Sequence, residues 1–476
     1  MKNKQINKIR SVFRLFSVLL FTSASLAIYA QSGTIDNNFN IGSGFNGIVR
    51  SIAVQPDGKI VVGGSFLFYN GVSRRCLARL NEDGTLDTSF DIGTGFQSGE
   101  VHFIKIQEND KILVGGTFAS FNGLPKSWIL RLNEDGSLDS TFNLTGTGIN
   151  GGVFNILTNN DKIIIGGSFN NFNGESKRNV LRLNNNGTLD NSFGNDFNFN
   201  TNNIVTSSSL LSNGKIIVGG FFRFLNQNFD KGIARLNANG TYDSSFSNFT
   251  ATNNLVWSTH ELSDGKILIG GAFTTFNNTT SNRIARLNSD GTFDDSFNIG
   301  SGFDWVVYNM ALQPDGKIIV CGDFTSFNGT SVNRLVRLNA NGTLDTTFTI
   351  GSGFNQTVYD AAVQNDGKIL VGGDFTTFNT VNRNRIIRLN GDSNLDLDLF
   401  ENHYLKIYPN PTSNYFTIVT VSEVAVECYS SLGQKQNIKP MNENQYDLSH
   451  LSNGVYLIKI KDQNSNIITT KKIIKN

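Results

Sequence analysis

A short motif recurs seven times along this chain, and its regular spacing limits the possible folds more than any other feature does. Each copy contains a lysine at the end of a turn, and successive lysines are 51 to 53 residues apart. An Arg-Leu-Asn triplet follows each lysine, first at Arg79 and last at Arg388. Repeats of this length are typical of proteins that repeat one supersecondary unit. The seven marker lysines are Lys59, Lys111, Lys162, Lys215, Lys266, Lys317 and Lys368.

One repeat predicts four short antiparallel strands, separated by turns rich in Asp-Gly and Asn-Gly, which favour tight hairpins. In the first repeat these strands are Val49 to Gln55, Lys59 to Phe66, Arg74 to Asn81 and Thr85 to Phe90. The Gly-Gly pair inside the second strand predicts a bulge or a close approach of another backbone. Four strands per repeat describe a propeller blade. The sequence therefore predicts an all-β fold, a seven-bladed β-propeller of four-stranded blades over residues 31–400.

The first and last repeats indicate how the ring of blades closes. Residues 33–39, Gly-Thr-Ile-Asp-Asn-Asn-Phe, have the sequence of a fourth strand with no blade ahead of them. The seventh repeat loses its last Asp-Gly turn at residues 394–399. We expect the N-terminal segment to complete the blade of Lys368, which also removes a free sheet edge. The alternative is a seventh blade that completes itself.

Charge and composition exclude several classes of protein. The 476 residues carry a net charge of +1, but residues 1–30 contribute +5 and residues 401–476 contribute +2, which leaves −6 for residues 31–400. A mildly acidic body argues against a nucleic-acid partner and against anionic membranes. Residues 1–30 have a basic start, a short apolar run and a small residue, Ala30, before the expected cleavage point. This pattern predicts a secretory signal peptide rather than a transmembrane span.

A variable position at the start of each first strand predicts a ring of side chains around one mouth of the central channel. The position lies nine residues before each marker lysine, directly after a valine that all seven repeats share. In propellers the first strand of a blade lies nearest the channel. The seven residues at this position are Arg50, His102, Phe154, Thr206, Trp257, Tyr308 and Tyr359.

Blades five to seven make this ring aromatic, and acidic residues lie close to it in sequence. Trp305, Asp304 and Asp360 join Trp257, Tyr308 and Tyr359 as candidate ligand-binding residues, with His260 as a further neighbour. Aromatic faces beside carboxylates suit a sugar, whose C–H groups stack on rings and whose hydroxyls donate to acids. The alternative is that these residues simply fill and hydrate the channel mouth.

The repeat gives little support to metal binding or catalysis. The spacing Asn81-x-Asp83-Gly84-x-x-Asp87 resembles an oxygen-rich calcium loop, but a cation, Arg79, occupies the expected first ligand position. We expect Arg79 to pair with Asp87 in place of a metal. The three cysteines are expected to be buried thiols, and no cofactor is predicted. No nucleophile elbow or phosphate loop is found, and a two-carboxylate hydrolase would have to draw on Glu100, Glu261, Asp304 or Asp360.

Two family resemblances add to this interpretation. The motifs Asp-Gly-Lys-Ile-x-Val-Gly-Gly-x-Phe and Arg-Leu-Asn-x-Asp-Gly-x-Leu-Asp-x-x-Phe, over residues 33–399, resemble the bacterial delta-60 repeat family, which implies a propeller but no defined activity. Residues 401–476, with Tyr-Pro-Asn-Pro at 408–411 and a basic end at 471–475, resemble the type A C-terminal sorting domain of the Bacteroidota type IX secretion system. That resemblance implies contact with the secretion machinery and a product that is secreted or attached to the outer-membrane surface.

The sequence thus favours a non-catalytic binding or adhesion module for a glycan or a protein. Two alternatives stay open at this point: a polysaccharide-degrading enzyme that uses acids at the channel mouth, and a purely structural surface protein.

Overall fold

The computed structural model divides into two compact units, Met1–Asp392 and Ser393–Asn476. It describes residues 31–126, 128–142, 147–194, 203–222, 231–246, 252–392, 406–408, 412–419, 425–430, 434–442, 444–461 and 467–475, which contain strands and no helix. The predicted signal peptide and residues 393–405 lie outside these ranges. The predicted boundaries at residues 30 and 400 therefore stay predictions.

The first unit repeats one three-stranded antiparallel sheet seven times, in the order first, second, third strand. The first strands are Val49–Val54, Val101–Ile106, Val153–Asn159, Ile204–Leu210, Val256–Glu261, Val307–Leu312 and Val358–Val363. The second strands are Ile60–Gly64, Ile112–Gly116, Lys162–Gly167, Ile216–Phe222, Ile267–Gly271, Ile318–Gly322 and Ile369–Gly373. The third strands are Leu77–Leu80, Ile129–Leu132, Val180–Asn184, Lys231–Leu236, Ile284–Leu287, Leu335–Leu338 and Ile386–Leu389.

The predicted fourth strand is present in each blade, but it is very short. In the first blade it pairs with the third strand through one bridge, Leu80 to Leu86, and through a hydrogen bond from the Asp87 amide to the Arg79 carbonyl of 2.9 Å. The equivalent bridges occur in the next five blades. After this bridge the chain leaves the sheet in a turn. In that turn the Ser89 amide donates a hydrogen bond to Asp87 Oδ1 at 2.9 Å.

A two-residue hairpin follows the second strand in most blades. In the first blade it pairs Phe68–Tyr69 with Val72–Ser73, around an Asn-Gly tip with positive φ. The other described hairpins are Ser120–Phe121 with Leu124–Pro125, Asn171–Phe172 with Glu175–Ser176, Thr275–Phe276 with Thr279–Thr280, Ser326–Phe327 with Thr330–Ser331, and Thr377–Phe378 with Val381–Asn382. Phe96–Gln97 adds a third short strand to the hairpin of the second blade.

The Gly-Gly pair acts in both of the ways that the sequence suggests. A Cβ on Gly63 would lie 2.5 Å from Val101 of the next blade, and a Cβ on Gly64 would lie 1.9 Å from the Ile48 carbonyl oxygen. The first strand carries a bulge between Val49 and Ser51, opposite this pair. The first glycine therefore allows adjacent blades to pack closely, and the second allows the chain to cross into the first strand.

The ring closes through the N-terminal segment, as the sequence predicts. Ile35 forms the fourth-strand bridge with Leu389 of the seventh blade, and the Asp36 amide donates to the Arg388 carbonyl at 2.9 Å. The Asp36 carboxylate accepts from Arg388 Nε at 2.7 Å. A chain segment more than 300 residues away in sequence thus completes the last blade.

Each blade contains one arginine–aspartate pair, which we call the staple, and its arginine is buried in every blade except the third, where Arg182 is partly buried. Arg79 Nε donates to Asp87 Oδ2 at 2.7 Å, and Lys59 Nζ lies 3.3 Å from the same oxygen. The Arg79 guanidinium also lies over the Phe90 ring at 4.7 Å and donates to the Glu134 carbonyl of the next blade. Each staple therefore joins two blades. The seven pairs are Arg79–Asp87, Arg131–Asp139, Arg182–Asp190, Arg235–Asp243, Arg286–Asp294, Arg337–Asp345 and Arg388–Asp36.

These carboxylates are charged, because hydrogen bonds and the charge of the arginine lower their pKa below its usual value. Burial acts to raise the pKa of Asp345, but hydrogen bonds from Thr347 and the charge of Arg337 outweigh it and lower the pKa to about 2. Within the described residues, no group of three or more His, Cys, Asp or Glu side chains could hold a metal ion. The prediction that Arg79 pairs with Asp87 is confirmed.

All three cysteines are buried thiols, as the sequence predicts. Cys321 replaces the first glycine of the pair in the sixth blade, where burial raises the pKa of its thiol. The seventh blade has the small Ala361 at the position that Ile104 occupies in the second blade, and Ala361 packs against Cys321. Cys76, Cys321 and Cys428 are all buried and free.

The second unit consists of two four-stranded antiparallel sheets with a small apolar core around Phe416, Cys428 and Ile458. One sheet has the order Lys406–Tyr408, Tyr415–Val419, Gln445–Asp447, Lys439–Asn442. The other has the order Lys435–Gln436, Ala425–Ser430, Gly454–Lys461, Ile467–Lys475. A search of the described residues for a helix long and apolar enough to cross a membrane finds none.

We expect deletion of residues 32–40 to lower the free energy of unfolding by at least about 3 kcal/mol, because it leaves Arg388 buried without its carboxylate. Denaturant unfolding of the deletion variant measures this loss. Asn37→Ser, an exposed change in the same segment, is the matched control and should unfold like the parent protein. An unchanged transition in the deletion variant would contradict the proposed closure.

Candidate functional site

The first strands of all seven blades line one cavity of about 710 Å³. All seven residues predicted to ring the channel mouth line this cavity: Arg50, His102, Phe154, Thr206, Trp257, Tyr308 and Tyr359. The predicted convergence of these positions is therefore observed. Asp360 and His260 also line this cavity.

Polar and aromatic contacts join neighbouring ring residues around the first three blades. Glu100 accepts from Arg50 Nε at 2.8 Å, and its other oxygen lies 3.4 Å from His102 Nε2. The Arg50 guanidinium carbon lies 4.8 Å from the centre of the Tyr359 ring. The His102 ring meets Phe154 edge-on, with 4.9 Å between centres. These contacts fix the positions of side chains that would otherwise have many rotamers.

A continuous aromatic surface follows across the last three blades. The centres of the Trp257 and Tyr308 rings are 5.5 Å apart, and those of Tyr308 and Tyr359 are 5.1 Å apart. These separations are within the range of favourable tilted and edge-to-face packing. We call Trp257, Tyr308 and Tyr359 the aromatic arc.

The ring of contacts has a gap at the fourth blade. Thr206 is small and buried, and its hydroxyl donates to the Val256 carbonyl at 2.6 Å. The residues after it, Ser207 and Ser208, give the wall of the fourth blade short hydroxyl side chains, and both line the cavity. The Ser207 Oγ is buried without a hydrogen-bond partner in the part of the chain that the structure describes. The fourth blade therefore leaves open space beside the aromatic arc, whereas the Ser207 hydroxyl lies buried against Gly219 of its own sheet.

A chain of hydrogen bonds lies in a second layer of the channel. Ser258 Oγ lies 3.1 Å from His260 Nε2 and donates to Asn309 Oδ1 at 3.1 Å. Asn309 Nδ2 donates to Asp360 Oδ1, and Asp360 Oδ2 accepts from the Ile52 amide at 2.7 Å. Ser258, Asn309 and Asp360 directly follow Trp257, Tyr308 and Tyr359 in the sequence. The chain therefore links the fifth blade to the first, below the aromatic arc.

Burial changes the protonation of the titratable groups in this layer. Burial raises the pKa of Asp360 to about 6, although hydrogen bonds from Ile52 and Asn309 partly oppose it. Burial lowers the pKa of His260 to about 4. It also lowers the pKa of His102 to about 4, and the charge of Glu100 opposes that shift. At neutral pH the second layer therefore holds the Asp360 carboxylate and the neutral His260 imidazole, and the His102 imidazole of the mouth ring is neutral as well.

Two predicted ligand-binding residues do not line the cavity. Asp304 Oδ1 accepts from the Thr325 and Ser326 amides at 2.8 and 3.0 Å, which is the role that Asn46 plays in the first blade. Trp305 is 54% exposed on the surface and lies 5.9 Å from the Arg283 guanidinium carbon. The expectation that they join the aromatic arc was wrong, because the crossing segment before the first strand holds them outside the channel.

The other candidate acids are engaged in hydrogen bonds as well. Glu100 holds Arg50, and Glu261 accepts from the Ser212 amide at 2.7 Å and from its hydroxyl at 2.9 Å. Of the four acids considered for hydrolysis, Glu261 and Asp360 line the cavity.

The second layer was missed by sequence analysis because a bulge creates it. Simple alternation places Ser51 on the opposite face of the strand from Arg50, but the bulge at Val49/Ser51 brings both to the cavity. A signal was nevertheless present. The residue after the variable position is polar in six of the seven blades, in strands that are otherwise rich in valine and isoleucine: Ser51, Phe103, Asn155, Ser207, Ser258, Asn309 and Asp360.

Comparison with protein families finds two matches. The first is the family described as "Domain of unknown function (DUF5122) beta-propeller", which matches residues 55–90, 107–142, 158–193, 211–246, 262–297, 313–348 and 364–398, more than half of the chain. The second is the "Secretion system C-terminal sorting domain", at residues 406–476. A comparison with curated proteins finds no match.

Several solved structures are similar in fold. The WD40 β-propeller domain of Doa1 is 15% identical with a TM-score of 0.48, covering 77% of this chain and 99% of that domain. PorZ, a surface component of the type IX secretion system of Porphyromonas gingivalis, is 12% identical with a TM-score of 0.43, over 89% of this chain. The extracellular domain of the hybrid two-component system BT4673 of B. thetaiotaomicron is 13% identical with a TM-score of 0.45, over 93% of this chain. The chain spans 59% and 58% of the lengths of the latter two.

The sorting domain marks the protein for export through the type IX secretion system, to a secreted or surface-attached state. With seven matched repeats that cover more than half of its length, the chain belongs to the DUF5122 β-propeller family.

Proposed function

We propose that this exported propeller is a non-catalytic binding module and that its ligand site is the channel mouth, with a carbohydrate as the ligand. The observation that carries the proposal is the position of the aromatic arc beside the open fourth-blade wall, whose short hydroxyl side chains line the same cavity.

The chemistry of the two sides of the cavity suits a sugar. The aromatic arc offers ring faces and edges against which the C–H groups of a pyranose can pack. On the fourth-blade wall the Ser208 and Ser209 hydroxyls already donate to Asn155 and to the Thr259 carbonyl, and each can still accept a hydrogen bond from a sugar hydroxyl. A concave site with an apolar side and a few placed polar groups is the general composition of a small-molecule site.

The positions of the acids support binding more than hydrolysis. A glycosidase needs one carboxyl group that protonates the leaving group and a second that attacks or activates water. Here both oxygens of Asp360 accept hydrogen bonds from Asn309 and Ile52, and both oxygens of Glu261 accept from Ser212. Asp304 bonds its own loop outside the cavity.

A protein ligand is the second candidate, and exposed apolar side chains on the mouth face favour it. The second strand ends at Gly64, opposite the start of the first strand at Val49, so the hairpins after the second strands lie at the mouth end. In the seventh, first and second blades these hairpins expose Val381, Phe68 and Leu124, whereas the fifth blade has the polar Thr275 where the first has Phe68. Exposed apolar groups on three consecutive blades are typical of an interaction surface.

Trp257→Ala is expected to abolish carbohydrate binding by removing one end of the aromatic arc. The measurement is a screen of oligosaccharides and polysaccharides against the full-length protein, followed by titration calorimetry of each hit. Trp305→Ala removes an equally large side chain from outside the cavity and should leave the affinity within twofold of the parent. Equal losses in both variants, or saturable binding that neither affects, would place the ligand elsewhere.

Asp360→Asn is expected to change how stability depends on pH. The pKa of Asp360 is raised on folding, so its contribution to stability is present below about pH 4 and is lost as pH rises through about 6. The variant should therefore gain on the order of 2 to 3 kcal/mol over the parent between pH 4 and pH 8. Denaturant unfolding at several pH values measures the difference.

Asp304→Asn is the control, because the pKa of Asp304 is shifted in the opposite direction from that of Asp360. Burial acts to raise the pKa of Asp304, but hydrogen bonds from Thr325 and Ser326 outweigh it and lower the pKa. Its stabilisation is present at neutral pH and fades as pH falls below about 4. A parallel pH profile for the parent and Asp360→Asn would show that Asp360 is not a buried carboxylate.

A photo-crosslinking residue at position 68 tests the protein candidate on intact cells. If a protein docks on the mouth face, position 68 should give a discrete crosslinked product, and position 275 should not. Identical products from both positions, or no product at position 68, would contradict docking on this surface.

A further inference from the structure

We propose that the channel-mouth site takes a ligand with a positively charged ammonium group, held between the aromatic arc and the Asp360 carboxylate. This inference rests on the proposed function, since it names the chemistry of the ligand at that same site.

The charges around the cavity favour a cation. Its charged lining residues are Arg50, Glu261 and Asp360. Arg50 is already neutralised by Glu100, which accepts from it at 2.8 Å. The cavity therefore has a negative net charge, which disfavours an anionic ligand and attracts a cationic one.

Asp360 has no charge partner of its own. No Lys, Arg or His nitrogen in the described part of the chain lies within 4.0 Å of its carboxylate, and its hydrogen bonds come from the neutral amides of Ile52 and Asn309. Asp360 is 9% exposed and borders the cavity. A buried carboxylate without a cation destabilises the fold. A ligand cation would offset that cost, and this gives a reason for aspartate at a position where five of the other six blades have serine or asparagine.

The aromatic arc provides the second half of an ammonium site. The faces of Trp and Tyr rings attract cations through the ring quadrupole, and aromatic rings beside a carboxylate are a recurrent way of holding ammonium groups. The Arg50 guanidinium over Tyr359, at 4.8 Å, shows that this layer already accommodates a cation against one ring. Trp257 and Tyr308 contact no cation in the described residues, and the second-layer acceptors Ser258, Asn309 and Asp360 directly follow the arc in sequence.

A bare metal ion fits this site less well than an ammonium group does. A hard divalent cation requires six to eight oxygen ligands, with several carboxylates among them. The described residues contain no cluster of three or more His, Cys, Asp or Glu side chains that could supply such ligands. An ammonium group needs one anion and ring faces, which this cavity has.

The test compares two probes of the same shape that differ in charge. Choline carries a permanent positive charge, and 3,3-dimethylbutan-1-ol is its neutral carbon analogue. We expect ligand-observed NMR titration of the full-length protein at pH 8 to show saturable choline binding, at least tenfold tighter than binding of the neutral analogue.

Three variants show which residues are responsible for the preference for choline. Asp360→Asn should reduce the preference for choline at least fivefold, and Trp257→Ala should weaken choline binding at least fivefold while Asp360 is kept. Trp305→Ala should leave both unchanged. Equal binding of the two probes, no choline binding, or a preference that survives Asp360→Asn would overturn the proposal. Binding of neutral oligosaccharides in a Trp257-dependent manner would then still support the proposed function, so the two failures can be told apart.

Discussion

The guanidinium of Arg79 joins three parts of the structure at once. It pairs with Asp87 in the loop of its own blade, lies over Phe90 and donates to the turn of the next blade at Glu134. Because the same group spans the boundary between blades, a single blade cannot satisfy it. The ring, rather than the blade, is therefore the smallest unit in which every one of these arginines has both its carboxylate and its acceptor in the next blade.

Where the two ends of the ring meet, the arginines of the sixth and seventh blades also have acceptors. The seventh arginine, Arg388, pairs with Asp36, which the N-terminal segment supplies. The sixth arginine, Arg337, meets a seventh blade without the usual Asp-Gly turn. There Asp392 accepts from it at 2.8 Å, and Ser32 Oγ accepts at 3.2 Å. In both blades the arginine therefore keeps its hydrogen-bond acceptors, although the residues that supply them differ from those of the regular blades.

The staples and the glycine–valine contacts hold the blades together, so the residue after the shared valine of each first strand is not needed for packing between blades. The valine before it is buried in every blade, and the residue itself ranges from threonine to tryptophan. A fold of this kind can change the residues of its ligand site without changing its core. We therefore place the function at the variable positions that line the channel. The second layer is less free, since Asp360 and Asn309 connect first strands of adjacent blades.

Much of the fold could be predicted from the sequence, because the seven copies of the repeat can be compared with one another. The blade number, the Arg79–Asp87 pair and the closure by residues 33–39 all follow from comparing copies. Asp304 and Trp305 were misplaced because nearness in sequence was taken as nearness in space, although the chain turns between them and Tyr308. The second layer depends on a backbone bulge, and the partner-free Ser207 hydroxyl depends on side-chain geometry, which no motif encodes.

The most direct test of the account is a double-mutant cycle on Arg388 and Asp36, measured by denaturant unfolding, with Arg182 and Asp190 as the reference pair within one blade. If the staple across the chain ends closes the ring, the coupling energy of Arg388 with Asp36 should exceed about 1 kcal/mol and match that of the reference pair. A coupling near zero for Arg388 and Asp36, beside a clear coupling for Arg182 and Asp190, would show that the ring does not depend on this closure.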